Sequence, residues 1–457
     1  MINDLAEIIA IDTVCAEAKP KAPFGLGSRK ALEWFLTKAK SYGLNCGEDE
    51  GYAAWAETGE GEKLIGILGH LDVVPPGAGW STNPFQLEID GGNLYGRGVS
   101  DDKGPVVACL HVLKRIKESG IKLSGRVRLI VGFNEENGSS CIKHYVKSNE
   151  VPIASFTPDA DFPVVASEKG ILQLKISVPI KGLSEFISDF RSGTRPNIVP
   201  NYAEMRVPSS SSLFSFIQSL ESPEMLFRTE KVALTLAESG YTPAEFSIIS
   251  STGEYIISSR GLAAHASCPE KGDNAAAKLL SLISSLLPCE ESAYCALLSS
   301  VRARTKFGLD LEDESGALTM NVGMVEMKND KLILTVDIRR PYSSNCKSII
   351  NALSRKNVTV DIFSNHNPLF KSDDDKLVST LLSVYRKVTG DYASLPLRIG
   401  GGTYAKELPN CVAFGATFPG VDTKMHEPDE FYPVEHFYKL CEIYYEAVLA
   451  LDKAYLS

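Results

Sequence analysis

Two rhythms of apolar and polar positions alternate along the chain. In the first third, apolar runs typical of buried strands occupy residues 63–73 and 126–136. They alternate with stretches of helical apolar spacing at residues 31–44 and 104–120. Strand–helix alternation of this kind predicts an α/β fold with a mostly parallel sheet flanked by helices.

The rhythm changes from about Leu174, where short alternating strands dominate and "GEY" and "KNDK" have the composition of hairpin turns. The first rhythm resumes after about His366. We therefore predict a discontinuous α/β domain of residues 1–175 and 367–457, interrupted by an α+β domain of residues 176–366. The insertion has two strand-rich halves, and we expect two ferredoxin-like halves in one lid domain.

The length and composition limit the number of domains, the partners and the cellular location that we expect. A chain of 457 residues is long enough for two or three domains. A net charge of -10 disfavours nucleic acid and anionic membranes. The best candidate for a membrane span, Leu279–Cys289, is too short to cross a bilayer, and the N-terminus lacks the basic region of a signal peptide. Ten cysteines without a CxxC motif favour a reducing, cytoplasmic location.

The first candidate site residues are His70 and Asp72, which end the apolar run 63–73. Residues two apart on a strand point to the same face, so the pair would share one side of the sheet. A histidine metal ligand oriented by a carboxylate fits this spacing. A hydrogen-bonded buried polar pair fits it too, and for HxD alone that is the better interpretation.

Two pairs of adjacent acids follow. Asp101 and Asp102 precede a predicted helix, where the helix dipole alone accounts for acids. Glu135 and Glu136 end an apolar strand, which is unusual because buried charge without compensation is costly. One glutamate could bind a metal ion while the other takes a proton from water, although a solvated turn explains the pair equally well.

The remaining candidates are weak when taken alone. Asp159 lies in a proline-bounded loop, His426 in the resumed α/β part, and His265 between small residues of the insertion. Three further histidines fall on helical segments, and we interpret them as surface or packing residues without acidic partners: His111, His144 and His436. Combined, the candidates form a set of two imidazoles and three carboxylates, which carries more weight than any one of them: His70, Asp101, Glu136, Asp159 and His426. That set suits two divalent ions such as zinc, cobalt or manganese.

The order of these motifs resembles the M20 clan of co-catalytic metallopeptidases. The stretches "HLDVVPPGAGW", "YGRGVSDDKGP", "FNEEN", "TPDADFP", "RPNIVP", "AAHASCPEKGDNA" and "GGTYAKEL" are similar to those of PepV-type dipeptidases, and also of Sapep-like and carnosinase-like dipeptidases. The resemblance spans nearly the whole chain. Departures at Asn137 and Thr157 touch no proposed ligand. The stretch "HEPDEFYP" follows the family's pattern only loosely after His426, so no role is implied for Glu427, Asp429 or Glu430.

The resemblance implies a role for each candidate. His70 would bind one ion and His426 the other, with Asp101 bridging them and Glu136 and Asp159 completing the shells. The other implied roles fall on residues around the ligands or on the lid: Asp72 orienting His70, Glu135 as general base, His265 stabilising the oxyanion, and Asn197 and Arg339 contacting substrate. Arg339 suits a bidentate clamp on a free C-terminal carboxylate.

The expected function is that of a cytoplasmic metal-dependent dipeptidase acting on small peptides with a free N-terminus. Two divalent ions are expected as cofactors, with zinc favoured and manganese or cobalt as alternatives. An N-acyl amino acid deacylase and a non-catalytic metal- or peptide-binding protein are the competing hypotheses. Because a doubled lid replaces a dimer partner in the resembling dipeptidases, we expect a monomer.

Overall fold

The computed structural model describes residues 1–457, which divide into two compact units. Unit 1 comprises residues 1–167, 369–398 and 402–457, and unit 2 comprises residues 168–368 with 399–401. No helix is both long and apolar enough to cross a bilayer. The ten cysteines are all free of disulfide bonds.

The N-terminal part of the chain alternates helices and strands as its apolar pattern predicts. Its elements are α1 (Ile2–Ile9), α2 (Leu26–Ser41), β1 (Asn45–Asp49), β2 (Ala53–Gly59), β3 (Leu64–His70), β4 (Glu88–Asp90), β5 (Asn93–Tyr95), α3 (Lys103–Ser119), β6 (Arg126–Gly132), α4 (Ser140–Ser148), β7 (Ala154–Thr157) and β8 (Val165–Glu168).

The middle of the chain is richer in long strands. Its elements are β9 (Gly170–Pro179), α5 (Leu183–Phe186), β10 (Asp189–Ser192), β11 (Tyr202–Pro208), α6 (Ser212–Gln218), α7 (Glu230–Glu238), β12 (Phe246–Ser251), β13 (Glu254–Arg260), α8 (Ala275–Leu286), α9 (Glu290–Ser299), α10 (Ala303–Lys306), β14 (Glu312–Asp313), β15 (Gly316–Ala317), β16 (Thr319–Lys328), β17 (Lys331–Arg340), α11 (Cys346–Leu353) and β18 (Thr359–His366).

The C-terminal part returns to short strands and long helices. Its elements are β19 (Leu369–Phe370), α12 (Lys376–Thr389), β20 (Leu397–Ile399), β21 (Cys411–Ala413), β22 (Phe431–Pro433) and α13 (Val434–Leu451). Helix α13 packs on α3 and α12 and so closes the core of unit 1.

The main sheet of unit 1 has the strand order β1-β2-β6-β3-β7-β21-β8-β19, with β20 paired to β8. Its centre is parallel, since β3 pairs in parallel with β6 and β7, and β7 with β21. The flanks are antiparallel, at β1–β2–β6 and at β21–β8. All seven residues of β3 are buried, which explains its unbroken apolar run before His70.

Unit 2 contains one antiparallel sheet of eight strands, in the order β12-β13-β11-β10-β16-β17-β9-β18. Its two four-stranded halves meet at the short pairing of β10 with β16. On β9 the buried residues alternate with more exposed ones, as expected for a sheet with one face against the core. The predicted boundary between residues 175 and 176 falls inside β9, which the structure places wholly in unit 2.

Candidate metal centre

Three parallel strands of unit 1 deliver acidic and imidazole side chains to one edge of the sheet. His70 is the last residue of β3, and it pairs with Gly132 at the end of β6. Glu135 and Glu136 follow β6, and Asp159 follows β7. Because parallel strands end at the same edge, residues far apart in sequence meet there, as is usual for sites in open α/β sheets.

Asp101 lies between the two imidazoles. Its Oδ1 is 2.9 Å from His70 Nε2, and its Oδ2 is 2.8 Å from His426 Nε2. Asp101 comes just before α3, whose first residue is Lys103. One carboxylate therefore presents a separate oxygen to each histidine, which is the arrangement required of a bridging ligand.

The predicted ligands form two groups that share Asp101. In the first group, Asp159 Oδ2 lies 3.8 Å from His70 Nε2. In the second, Glu136 Oε1 lies 3.1 Å from His426 Nε2. Within each group the donor atoms all lie within 4.8 Å of one another. The structure thus brings all five predicted ligands together.

Asp72 orients His70 by a different route from the expected one. The main-chain carbonyl of Asp72 accepts a hydrogen bond from His70 Nδ1 at 3.0 Å, while the Asp72 carboxylate is 3.5 Å away. With Nδ1 as a donor, Nε2 faces Asp101. The Asp72 carboxylate accepts the backbone N–H groups of Glu135 and Glu136, both at 3.1 Å. Asp72 therefore positions the proposed base as well as the histidine.

Asp102 also forms a hydrogen bond with the end of β3. Its Oδ2 accepts the backbone N–H of His70 at 3.0 Å, and its side chain is completely buried. A Cβ at Gly69 would lie 2.8 Å from that same oxygen. Glycine at position 69 is therefore required for the aspartate to approach β3 so closely.

The electrostatics of the centre show an excess of acids over cations. Burial lowers the pKa of both imidazoles, but contacts with Asp101 outweigh this effect. As a result, the pKa of His70 is well above its usual value, and the pKa of His426 is raised to about 10. Burial, reinforced by the charge of Asp101, raises the pKa of Asp159 and of Glu136. Burial also raises the pKa of Glu135, to about 8. Divalent cations would relieve these raised carboxylate pKa values.

The donor set fits two such cations. Imidazole nitrogen and carboxylate oxygen are ordinary ligands of zinc and its neighbours. Two donors that bind one tetrahedral ion at roughly 2.1 Å lie about 3.4 Å apart. The four donor separations at this site are 2.8, 2.9, 3.1 and 3.8 Å, which bracket that spacing.

In unit 2 the structure brings together the three residues predicted to act on substrate. The main-chain oxygen of Asn197 accepts the N–H of Ala266, next to His265, at 2.9 Å. His265 Nδ1 accepts the backbone N–H of Ser267 at 3.2 Å, so the proton of a neutral ring lies on Nε2. Burial and then the charge of Arg339 lower the pKa of His265, which favours the neutral ring.

Arg339 is more constrained than its predicted role as a clamp requires. Its Nε and Nη2 donate to the two oxygens of Asp337 at 2.6 and 3.2 Å, and its Nη1 donates to the carbonyl of Gly400 at 3.0 Å. Gln173 on β9 also donates to Asp337 at 2.8 Å. One N–H on each terminal nitrogen of Arg339 is left for an anionic ligand.

The interpretation of the remaining histidines needs a correction. His111 and His144 do have acidic partners, since His111 Nε2 lies 2.7 Å from Asp4 and His144 Nδ1 lies 2.8 Å from Asp49. The prediction failed because these partners are distant in sequence. His436 packs against the ring of Phe418, as expected of a packing residue.

Sequence reasoning missed the role of Glu430. It is an acid of the "HEPDEF" stretch, and in the structure its carboxylate is buried and accepts hydrogen bonds from residues 97–101. The only signal was its offset of four residues from His426. A loop acid at that offset carries no periodicity that would distinguish it from its solvated neighbours.

Families and proteins similar to this chain are named as peptidases. The profile of peptidase family M20/M25/M40 matches residues 66–450. The Bacillus subtilis (strain 168) protein named "Putative dipeptidase YtjP" is 34% identical over 99% of this chain and 97% of its own length. Human carnosine dipeptidase 1 has a similar fold, with a TM-score of 0.57 at 16% identity over 99% of this chain and 96% of that one.

A further solved structure, the M20 family metallo-carboxypeptidase Sso-CP2 of Sulfolobus solfataricus, has a TM-score of 0.57 at 17% identity, covering 99% of this chain and 98% of that one. Identities this low establish the fold alone. The profile match and the Bacillus subtilis relative define the class of protein as a hydrolase that acts on peptide bonds. The chain belongs to peptidase family M20/M25/M40, which confirms the resemblance seen in its motifs.

Proposed function

We propose that this protein is a dipeptidase with a co-catalytic pair of divalent metal ions, acting on dipeptides with a free N-terminus. The observation that carries the proposal is the position of Asp101, whose two oxygens each face a different imidazole at 2.9 and 2.8 Å. The name of the Bacillus subtilis relative supports dipeptides as the substrate class. Zinc is the proposed metal, with manganese or cobalt as alternatives.

In this proposal, His70 and Asp159 hold one ion, His426 and Glu136 hold the other, and Asp101 belongs to both. The bound ions supply Lewis acidity toward the scissile carbonyl and toward a water molecule. Every proton movement falls to the protein's own side chains.

Glu135 is the proposed general base. Its backbone N–H is fixed by Asp72, and its carboxylate belongs to neither group of predicted ligands, so it remains available to accept a proton. It would take the proton of the attacking water and later deliver it to the leaving amine. Hydrogen bonding of its peptide to a buried aspartate keeps the base in place during both transfers.

His265 and Arg339 are the proposed substrate contacts of unit 2, together with Asn197. The neutral ring of His265 would donate from Nε2 to the developing oxyanion, because its Nδ1 is occupied by Ser267. The two remaining N–H groups of Arg339 would bind the C-terminal carboxylate of the peptide. Asp337 holds that guanidinium in a fixed orientation before substrate arrives.

The test is hydrolysis of a panel of dipeptides and N-acetyl amino acids by metal-loaded protein. Cleavage of dipeptides with a free amine is the expected result. Cleavage of acetylated amino acids alone would establish the deacylase instead. Absence of any cleavage from protein that binds metal would favour a non-catalytic binding protein.

We further propose that the protein is a monomer that works in the cytoplasm. The doubled antiparallel sheet of unit 2 supports the first proposal, and the ten unpaired cysteines support the second. Analytical ultracentrifugation should give the mass of one chain at micromolar concentration. A concentration-independent dimer would contradict the proposal.

A further inference from the structure

Glu430 is a buried carboxylate with an unusually full set of hydrogen bonds. Its side chain is 1% exposed. Oε1 accepts the N–H and the hydroxyl of Ser100 at 2.9 and 2.8 Å and the N–H of Asp101 at 3.3 Å. Oε2 accepts the N–H of Gly98 at 3.1 Å and Nη1 of Arg97 at 2.7 Å. A buried charge is tolerated only when it is satisfied in this way.

All five donors belong to one short segment, residues 97–101, which we name the bridging loop. This loop ends at Asp101, the carboxylate shared by the two groups of ligands, and one of the donors is the N–H of Asp101 itself. Glu430 therefore fixes the main chain from which the shared carboxylate projects.

Glu430 also belongs to the segment that carries His426. We name residues 424–430 the His426 loop. This loop is irregular, with positive φ at Lys424, His426 and Asp429. The side chain of His426 is 46% exposed, whereas that of His70 at the end of β3 is fully buried. The His426 loop thus lacks the strand that holds the other imidazole in place.

Arg97 strengthens the connection between the two loops. Besides its ion pair with Glu430, its Nη2 donates to the carbonyls of Glu427 at 3.3 Å and Pro76 at 3.4 Å. Its guanidinium also lies over the ring of Trp80, 5.2 Å from the centroid. The buried pair therefore spans the bridging loop and the His426 loop, and both of its members are only 1% exposed.

We propose that Glu430 is a positioning residue which, with Arg97, sets the distance between Asp101 and His426 and thereby the affinity of the half-site that contains His426. The inference rests on the proposed two-metal function. His70 and Asp159 are held independently by the ends of β3 and β7, so their half-site depends less on this connection.

The test is Glu430→Gln, which keeps the shape of the side chain but places an amide N–H₂ against backbone donors. Zinc is titrated into metal-free protein in competition with a chromophoric chelator, which resolves the two affinities without any activity assay. We expect one affinity to fall about 10- to 100-fold, the usual effect of removing a residue that orients a ligand. The other should fall by less than this, because the ends of β3 and β7 hold His70 and Asp159 and only the shared Asp101 depends on Glu430.

Two comparisons assign the loss to the correct half-site. Glu427→Gln is the matched control, because it makes the same chemical change in the same loop at an exposed glutamate; both affinities should remain at the wild-type values. His426→Ala removes one half-site, and adding Glu430→Gln to it should lower the remaining affinity by less than about 10-fold.

Several outcomes would overturn the inference. Wild-type affinities at both sites in Glu430→Gln, or equal losses at both, would show that Glu430 does not act selectively on the His426 half-site. If Glu430→Gln does not fold, Arg97→Gln replaces it, and two unchanged affinities in that variant would have the same meaning. A wild-type protein that binds fewer than two ions would instead refute the two-metal function itself.

Discussion

Two clusters in unit 1 place histidine against a buried aspartate, and only one of them has the chemistry of a metal centre. In the first, Asp4 of α1 accepts hydrogen bonds from Lys38 at 2.8 Å, from Tyr42 and from His111 at 2.7 Å. In the second, Asp101 lies between His70 and His426. A histidine–carboxylate contact by itself therefore does not identify a ligand set.

The difference lies in the cations that each cluster already contains. Burial raises the pKa of Asp4, but Lys38 and the other donors outweigh it and hold that pKa below its usual range. Around Asp101 the neighbouring acids Glu135, Glu136 and Asp159 have raised pKa values instead. A site whose carboxylates are not neutralised by neighbouring cations would bind metal ions. The following predictions test this difference between the Asp4 cluster and the Asp101 cluster.

The largest effect is expected from Glu135→Gln. Loss of a positioned general base should lower kcat about a thousandfold while the metal content stays at the wild-type value. Asp4→Asn, the same loss of charge in the other cluster, should leave kcat unchanged. Metal analysis of the purified variants accompanies the kinetics, and loss of metal from Glu135→Gln would make that residue a ligand rather than the base.

Removal of metal should give the two clusters opposite pH dependences. In chelated protein, Glu135 with a pKa of about 8 and His426 with a pKa of about 10 keep protons that the unfolded chain releases at lower pH. The free energy of unfolding should therefore fall from pH 5.5 to 7.5, by about 1 kcal/mol per pH unit from Glu135 and by a smaller amount from the half-exposed His426. Zinc binds deprotonated ligands and should reverse this slope in urea titrations. A chelated protein that becomes more stable as pH rises would contradict the assignment.

The Asp4 cluster should respond to acid instead. Because the pKa of Asp4 is lowered in the folded state, its contribution is present at neutral pH and is lost as pH falls below the ordinary aspartate range. Asp4→Asn should cost about 2 kcal/mol at pH 7. That difference from wild type should shrink in urea titrations at pH 3, and a constant difference across this range would refute the linkage.

The smallest effect is expected from His111→Ala. Asp4 keeps Lys38 and Tyr42 as donors, so the free energy of unfolding should fall by less than about 1 kcal/mol. The metal content should not change, whereas His426→Ala should lose one ion per chain. Equal metal losses in the two variants would remove the distinction between the clusters.

Local pattern predicted the elements that carry the centre. The apolar run before His70 forms β3, and the helix expected after Asp102 begins at Lys103. The five ligands could be grouped because strand ends of a parallel sheet share an edge, and because the ordered motifs resemble a family. The distances between the donor atoms, in contrast, come only from the structure.

Contacts between segments remote in sequence could not be predicted. The bonds of Glu430 to the bridging loop and of His111 to Asp4 join residues without a shared periodicity. The sequence correctly indicated that Asp72 orients His70. It did not indicate that the main-chain oxygen of Asp72, rather than its carboxylate, accepts the hydrogen bond from His70 Nδ1. Hydrogen bonding of this kind depends on loop conformation, which apolar patterning does not encode.

The position of β21 has a consequence for how the protein is made. This strand, Cys411–Ala413, lies between β7 and β8, which are synthesised some 250 residues earlier. Until it leaves the ribosome, β7 has an unpaired edge, and open edges of this kind invite association with other chains. Residues 168–368 of unit 2 are contiguous and can complete their sheet first. The domain that begins first is thus finished last.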